Sequence, residues 1–463
     1  MSRKNDGPRY TRSRGTGLWR FKRVGMCAHG SIDHKIDPAP RQANTSHLLA
    51  FTRVNAEVGV ASAEHTGSAA HEPLKPRPLL IRPQARYHCF GDGLCCSDIH
   101  ALGPVTSREA ATLRSLSVQP VEKHRQLGIL VVRYASNTPG SGCQFLEGQA
   151  IGGLCRVHAQ HGELAKPSTC RRFPFGLTRT PSADRVTTDH RCPCRTMGER
   201  PLLTIDVARS AITDRAGRLV PDTHIDQKIE LSETRKVSFA SFETIESRLL
   251  ETLAQHAATQ GAASILENLA RSEKALPPLD GATWIDIAHW LRAERDGTSG
   301  GEALLWFGDA LLELAGGPSR PERSRPWSTA FDRAEARAST PNNPLELEAD
   351  WVADELWSLH WAERSPFDIA LSELTVRVAV ARSLQAQLVS KSVRADRAMA
   401  EAICAAELVG ATDLWAKVIR TICTRLTAPH PRHCVPPPLP TRSRSERRGA
   451  GQSDTRDGLA PLL

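Results

Sequence analysis

The chain has 463 residues, a formal net charge of +9, 24% charged and 5% aromatic residues, which leaves room for about two or three domains. No run approaches the roughly 18 apolar residues of a membrane span, and the basic N-terminus lacks the apolar core of a secretory signal. These features point away from membrane and secreted classes and lead us to expect a soluble, cytoplasmic protein. In that reducing setting the twelve cysteines read as metal-binding or catalytic rather than disulfide-bonded.

The basic excess lies at the two ends. Residues 1–23 hold eight Lys or Arg against one Asp, and residues 430–463 hold six Arg against three acids. The middle is near neutral, so solvated tails are expected rather than specific nucleic-acid binding. Residues 1–79 read as a disordered extension, with no sustained apolar period. Residues 80–203 are rich in Cys, Gly, Pro and His, with short elements between. Thr106 and Glu109 form a capping box that opens a helix through Leu116. Leu127–Tyr134 and Arg185–His190 read as strands, with a loop over Asn137–Cys143. Such a stretch buries little apolar surface per residue and needs a staple, for which metal is the candidate.

Residues 204–428 turn helical. Helices are predicted over Leu203–Ala211, Phe239–His256, Ala262–Arg271, Trp284–Glu294, Gly301–Leu314, Leu345–Glu363, Phe367–Ser390, Ala395–Val409 and Leu414–Leu426, from apolar residues at three- and four-residue spacing. Gly317–Pro344 reads as a polar break between two helical groups. Every Trp except Trp19 falls between Trp284 and Trp415 and reads as core packing. Residues 429–463 read as a disordered Pro- and Arg-rich tail. The expected fold class is α+β: a small, irregular, metal-stapled cysteine-rich module, a mostly α-helical region, and disordered termini.

Eight cysteines crowd into one Gly-rich stretch: Cys89, Cys95, Cys96, Cys143, Cys155, Cys170, Cys192 and Cys194. Thiolates suit zinc, iron in iron–sulfur clusters, and copper(I). Four ligands fill one site, so eight cysteines allow two sites or one site with spares. The glycines in Phe90–Leu94 and Ile151–Leu154 let the chain turn tightly around an ion. His88, His100, His158, His161 and His190 could join as ligands or as donors to ligands. The spacing is not that of a zinc-finger pair and leaves the metal open. Cys404 and Cys423 sit in helical patterns as buried small residues, and Cys27 and Cys434 lie in the tails.

The run Cys89-Phe90-Gly91-Asp92-Gly93-Leu94-Cys95-Cys96 resembles the opening motif of a cysteine-cluster family of zinc- or iron-chelating domain proteins. Cys143-Gln144-Phe145-Leu146, Cys155-Arg156-Val157-His158, Lys166-Pro167-Ser168-Thr169-Cys170-Arg171-Arg172-Phe173-Pro174 and Cys192-Pro193-Cys194 are similar to that family's later segments, in the same order. The resemblance covers about a quarter of the chain. Two positions depart from the pattern. Asp92 lies in the interval where the family carries a further Cys, and Asp92 or Cys194 could replace that ligand. Lys166 stands where the family has Arg, keeping the charge but not the planar fork.

The resemblance implies a metal-binding module with zinc or iron, including a 4Fe-4S cluster, held by the eight cysteines. Flagellin lysine N-methylase is similar to the same family, and that likeness implies an alternative activity: methyl transfer from S-adenosylmethionine to a protein lysine. A third reading is a metal-stapled scaffold whose helical region binds a protein partner. No catalytic triad, phosphate loop or dinucleotide fingerprint appears in a strand–turn–helix context.

Overall fold

The computed structural model describes residues 77–419, apart from residues 101, 124–128, 148–153, 273–280, 295–296, 319–320, 339 and 413. All of these belong to one compact unit of the chain. The expectations for the two tails, Cys27, Cys423 and Cys434 lie outside the described residues, and so does most of Leu414–Leu426, of which residues 414–419 are helical.

The elements run in this order: β1 (Leu79–Ile81), α1 (Ser107–Arg114), β2 (Val121–Lys123), β3 (Leu130–Val132), β4 (Leu146–Glu147), β5 (Leu154–Cys155), α2 (Arg156–His161), α3 (Ser168–Arg172), β6 (Phe175–Arg179), β7 (Asp184–Thr188), α4 (Pro193–Thr196), α5 (Ile205–Ile212), β8 (Thr223–His224), β9 (Lys228–Ser232), β10 (Arg235–Ser238), α6 (Phe239–Ser272), α7 (Gly281–Ala293), α8 (Ser299–Leu314), α9 (Ser328–Arg337), α10 (Pro344–Ser358), α11 (Phe367–Ser390) and α12 (Ala395–Gly410). Helices and small sheets coexist, as an α+β fold requires. None of the described helices is long and apolar enough to cross a membrane.

The largest sheet has the order β1-β7-β6-β8. Strands β6 and β7 form an antiparallel hairpin, while β1 pairs parallel to β7 and β8 parallel to β6. Three two-stranded ribbons accompany it: β2-β3, β4-β5 and β9-β10. The capping box at α1 forms as expected, with the Thr106 side chain on the Glu109 amide and the Glu109 carboxylate on the Thr106 amide.

Two stretches differ from the sequence expectation. Residues 223–238 contain three strands where a helical region was expected. In β9, Ile229 and Leu231 are buried while Lys228 and Glu230 face out. That is a period of two over five residues, too short to outweigh the helical pattern on its C-terminal side. The expected break at Gly317–Pro344 contains α9, whose only buried side chains are Ala330, Phe331 and Ala334. A helix with so narrow an apolar face reads as polar loop.

The helical core is filled by Trp306, Trp351, Trp415, Phe242, Phe307 and Phe331. Helix α10 packs on α6, α11 on α12, and α7 on α8. Helix α6 is broken at Gly261, whose φ of 63° favours glycine. Just beyond it, buried Glu348 of α10 accepts the amides of Ala262 (2.7 Å) and Ala263 (3.2 Å) and pairs with Arg382. The carboxylate thus caps the second half of the helix, where amides lack intrahelical partners.

Candidate metal centre

The cysteine site is assembled from five stretches of chain. The first is the Cys89–Cys96 loop. Gly91 (φ 64°) and Gly93 (φ 82°) take left-handed conformations that side chains disfavour, and the loop closes with the Cys96 amide on the Gly93 carbonyl at 3.0 Å. Leu94, buried, pins it to the core. Asp92 is buried inside the turn; its Oδ1 accepts the Leu94 amide at 2.8 Å and its Oδ2 accepts the Cys194 thiol at 2.9 Å. Phe90 donates its amide to Cys194 Sγ at 3.0 Å. The sequence alternatives Asp92 and Cys194 therefore lie in contact with one another.

The second stretch is bonded directly to the first, with the Cys143 amide on the Cys96 carbonyl at 2.6 Å. Strand pairing sets the third: β4 against β5 puts Cys155 opposite Leu146. The fourth carries Cys170 on α3. The second carboxylate oxygen of Glu109, beyond its capping role, accepts the Ser168 amide at 2.7 Å, and Thr169 bonds the Pro104 carbonyl. One glutamate thereby ties the start of α1 to the helix that bears Cys170. Cys143 is buried with Phe145, Val157 and Leu113, and Cys96, Cys155 and Cys170 pack against the same small core.

The fifth stretch is Cys192-Pro193-Cys194, at the start of α4. Both cysteines are buried. The next residue, Arg195, is fully buried and ion-paired to Asp350 and Asp354 of α10, which fixes the turn against the helical core.

Two groups of interactions link the sulfurs. Cys89, Cys192 and Cys194 act on one another and lie in the field of Asp92. Cys96, Cys143, Cys155 and Cys170 interact with Lys166. Cys95 interacts with both groups: it lies 3.8 Å from Cys96 Sγ, and its charge acts on Cys192 as well as on Cys143 and Cys170. All nine described cysteines are free thiols.

Electrostatics differ around the two groups. The hydrogen bond from Cys194 draws the Cys89 thiol down to about 6, against the cost of burial. At Cys192 the contact with Cys194 also acts downward, but burial and the nearby Asp92 and thiols win, leaving it at about 11. Cys194 is held well above the usual thiol range, first by its hydrogen bonds to Cys192 and Cys89 and then by burial. Cys95, although exposed, is raised first by its bond with Cys96. Burial pushes Cys143 up to about 12 and raises Cys170 as well, with neighbouring thiols adding to both. Lys166 works in the opposite direction on these thiols, and they in turn hold its ammonium charged despite burial.

The sequence-singled histidines scatter. His88 is exposed and meets Phe90 edge-on. His158 and His161 lie on the exposed side of α2. His100 is buried against Phe173, and His190 is buried between Asp350 and Asp354. Cys404 is a buried helical thiol, as its pattern indicated.

Sequence reading missed Tyr87, whose phenol is raised by burial and by Cys192, Cys89, Cys194 and Cys95. It also missed Arg333, which donates to the Asp92 carbonyl at 3.0 Å, and Arg337, whose guanidinium lies against Gly91. Tyr87 sits two residues before the motif and was within reach of inspection. The arginines come from α9, far away in sequence, and carried no local signal.

Among the described residues, no three or more His, Cys, Asp or Glu side chains stand in a metal-binding arrangement. Thiols with backbone amides directed at their Sγ atoms, as those of Phe90 and Phe145 are at Cys194 and Cys143, are the kinds of groups that zinc and iron–sulfur centres use. Compared with known proteins, the chain matches no family model, no curated protein and no solved structure.

Proposed function

We propose that this is a metal-binding protein whose cysteine cluster holds zinc or an iron–sulfur centre. What supports the reading is linkage: the eight cysteines, spread over five stretches from Cys89 to Cys194, are tied into two sets by hydrogen bonds, shared packing and mutual electrostatics. A set of apolar thiols would not need hydrogen-bonding Gly turns, a buried carboxylate and a half-buried lysine among them.

Cys89, Cys192 and Cys194, with Asp92, would supply one set of ligands. Cys95, Cys96, Cys143, Cys155 and Cys170 would supply the other. Zinc there would be a structural staple, and an iron–sulfur cluster would add the capacity to hold an electron. The protein's own residues have three tasks. The amides of Phe90 and Phe145 hydrogen-bond to sulfur. Lys166 offsets the negative charge of the second group. Arg195 anchors the Cys192–Cys194 turn to α10.

Burial first, and repulsion from neighbouring thiols second, keep Cys143 and Cys170 from ionising. A cation would relieve that repulsion, since coordination deprotonates thiols outright. The test is metal content per chain after anaerobic purification. Cys170→Ser, and Cys95→Ser combined with Cys96→Ser, are each expected to lower it and to loosen residues 87–200 in hydrogen exchange. Wild-type metal content in both variants would refute the ligand assignment.

A further inference from the structure

A cavity of about 560 Å³ opens between the Cys170–Gly176 stretch and helices α10, α11 and α12, within the usual size range of small-molecule sites. Cys95 and Cys170 line it, so it borders the cysteine cluster, and Phe173, Trp361 and Trp415 give it apolar wall.

Arg171 lines this cavity and is 8% exposed. Its guanidinium makes one hydrogen bond, to the Thr213 carbonyl at 3.1 Å, and its Nε has no partner. Arg364, also on the wall, donates to the Gly410 carbonyl at 2.7 Å. Neither forms an ion pair among the described residues. The other charges at the wall are committed. Asp189 holds Arg191, Asp214 holds Arg218, Asp222 holds Arg172, Asp354 holds Arg82 and Arg195, and Glu355 and Glu373 hold Arg377. Glu407 is the exception, and burial together with Asp189 and Glu355 raises its carboxyl well above the usual carboxylate range. Arg171 is thus the guanidinium at the wall that no carboxylate offsets, while Arg364 lies in the field of Glu373 and Glu355. A buried guanidinium without a counter-anion is costly, and its planar fork matches an oxyanion.

We propose that this cavity binds a small molecule through a carboxylate or phosphate group, anchored by Arg171 with Arg364 as a second cation. The inference goes beyond the metal reading and does not require it. It gives Arg171, part of the Cys170–Pro174 motif, a role that metal binding does not.

The test is calorimetric titration of the full chain, as purified anaerobically, with succinate and separately with inorganic phosphate, each against chloride at equal ionic strength. Saturable binding of at least one probe is expected, and which one binds distinguishes carboxylate from phosphate. Arg171→Gln should weaken that binding about tenfold or more, the usual scale for a lost charged hydrogen bond, while Arg171→Lys retains part of it. Where Arg171→Gln proves misfolded by circular dichroism, Arg364→Gln carries the same expectation. Absence of saturable binding by both probes, or wild-type affinity in a folded Arg171→Gln or Arg364→Gln variant, would overturn the proposal.

Discussion

Buried within a ring's width of Phe173, His100 illustrates what single residues contribute here. Both its ring nitrogens lack partners, and burial, with Arg191 nearby, draws its pKa down to about 3 against the pull of Asp189. In the unfolded chain it would titrate near 6.5. A base whose folded pKa is depressed takes up its proton on unfolding. Its contribution to stability is therefore complete above about pH 6.5 and is lost as pH falls toward 3, by at most about 1.4 kcal/mol per unit. Replacing it as His100→Phe keeps a ring against Phe173 and removes the titration. Urea unfolding from pH 7 to pH 4 should then show a shallower loss of stability in the variant. Parallel slopes for the two proteins would contradict this account of His100.

At the scale of elements, the join between the cysteine module and the helices is made by charge. Arg195 at the end of α4 and Arg82 just after β1 share Asp350 and Asp354 of α10, and Thr188 at the end of β7 bonds Asp354 too. Arg195 is fully buried, so removing it leaves two carboxylates to share Arg82 alone as their arginine partner. Arg195→Met should cost about 3–5 kcal/mol, the scale for breaking a buried pair from one side. Equilibrium unfolding at neutral pH measures it, and a loss no larger than that of the half-exposed pair Arg133–Glu122 would contradict the assignment. A second join is made by neutral donors on one carboxylate: Asp98 accepts the Ser299 amide and hydroxyl at the start of α8 and the Gly140 amide of the module loop.

Elements differed in how plainly the sequence declared them. The α11 boundaries, Phe367–Ser390, match the expectation, and the predicted break after His256 falls near the kink at Gly261. Long helices repeat their apolar period many times, so the signal accumulates. Strands β8 to β10 repeat theirs twice or less, and α9 buries only three side chains. The cysteines of the candidate site were legible because they are rare and clustered in sequence. Arg171, Arg195 and Arg333 were not, because their meaning comes from Thr213, Asp350 and the Asp92 carbonyl. Those partners are set by tertiary contact and have no fixed spacing.

For the molecule as a whole, the cysteine-rich part contributes small cores of its own, such as the one around Leu113, Val132 and Phe145, and leans on the larger helical core through Arg195 and Asp98. A structural zinc in such a module is worth about 10–16 kcal/mol of apparent binding free energy, enough to decide whether residues 87–200 stay folded. The most direct measurement is metal analysis of the full chain purified without oxygen, taken together with its absorbance spectrum. The account expects zinc or iron bound in near-stoichiometric amount, with visible charge-transfer absorbance when the metal is iron and a colourless protein when it is zinc. A well-folded chain that carries neither metal, and takes up neither when both are supplied under reducing conditions, would contradict it.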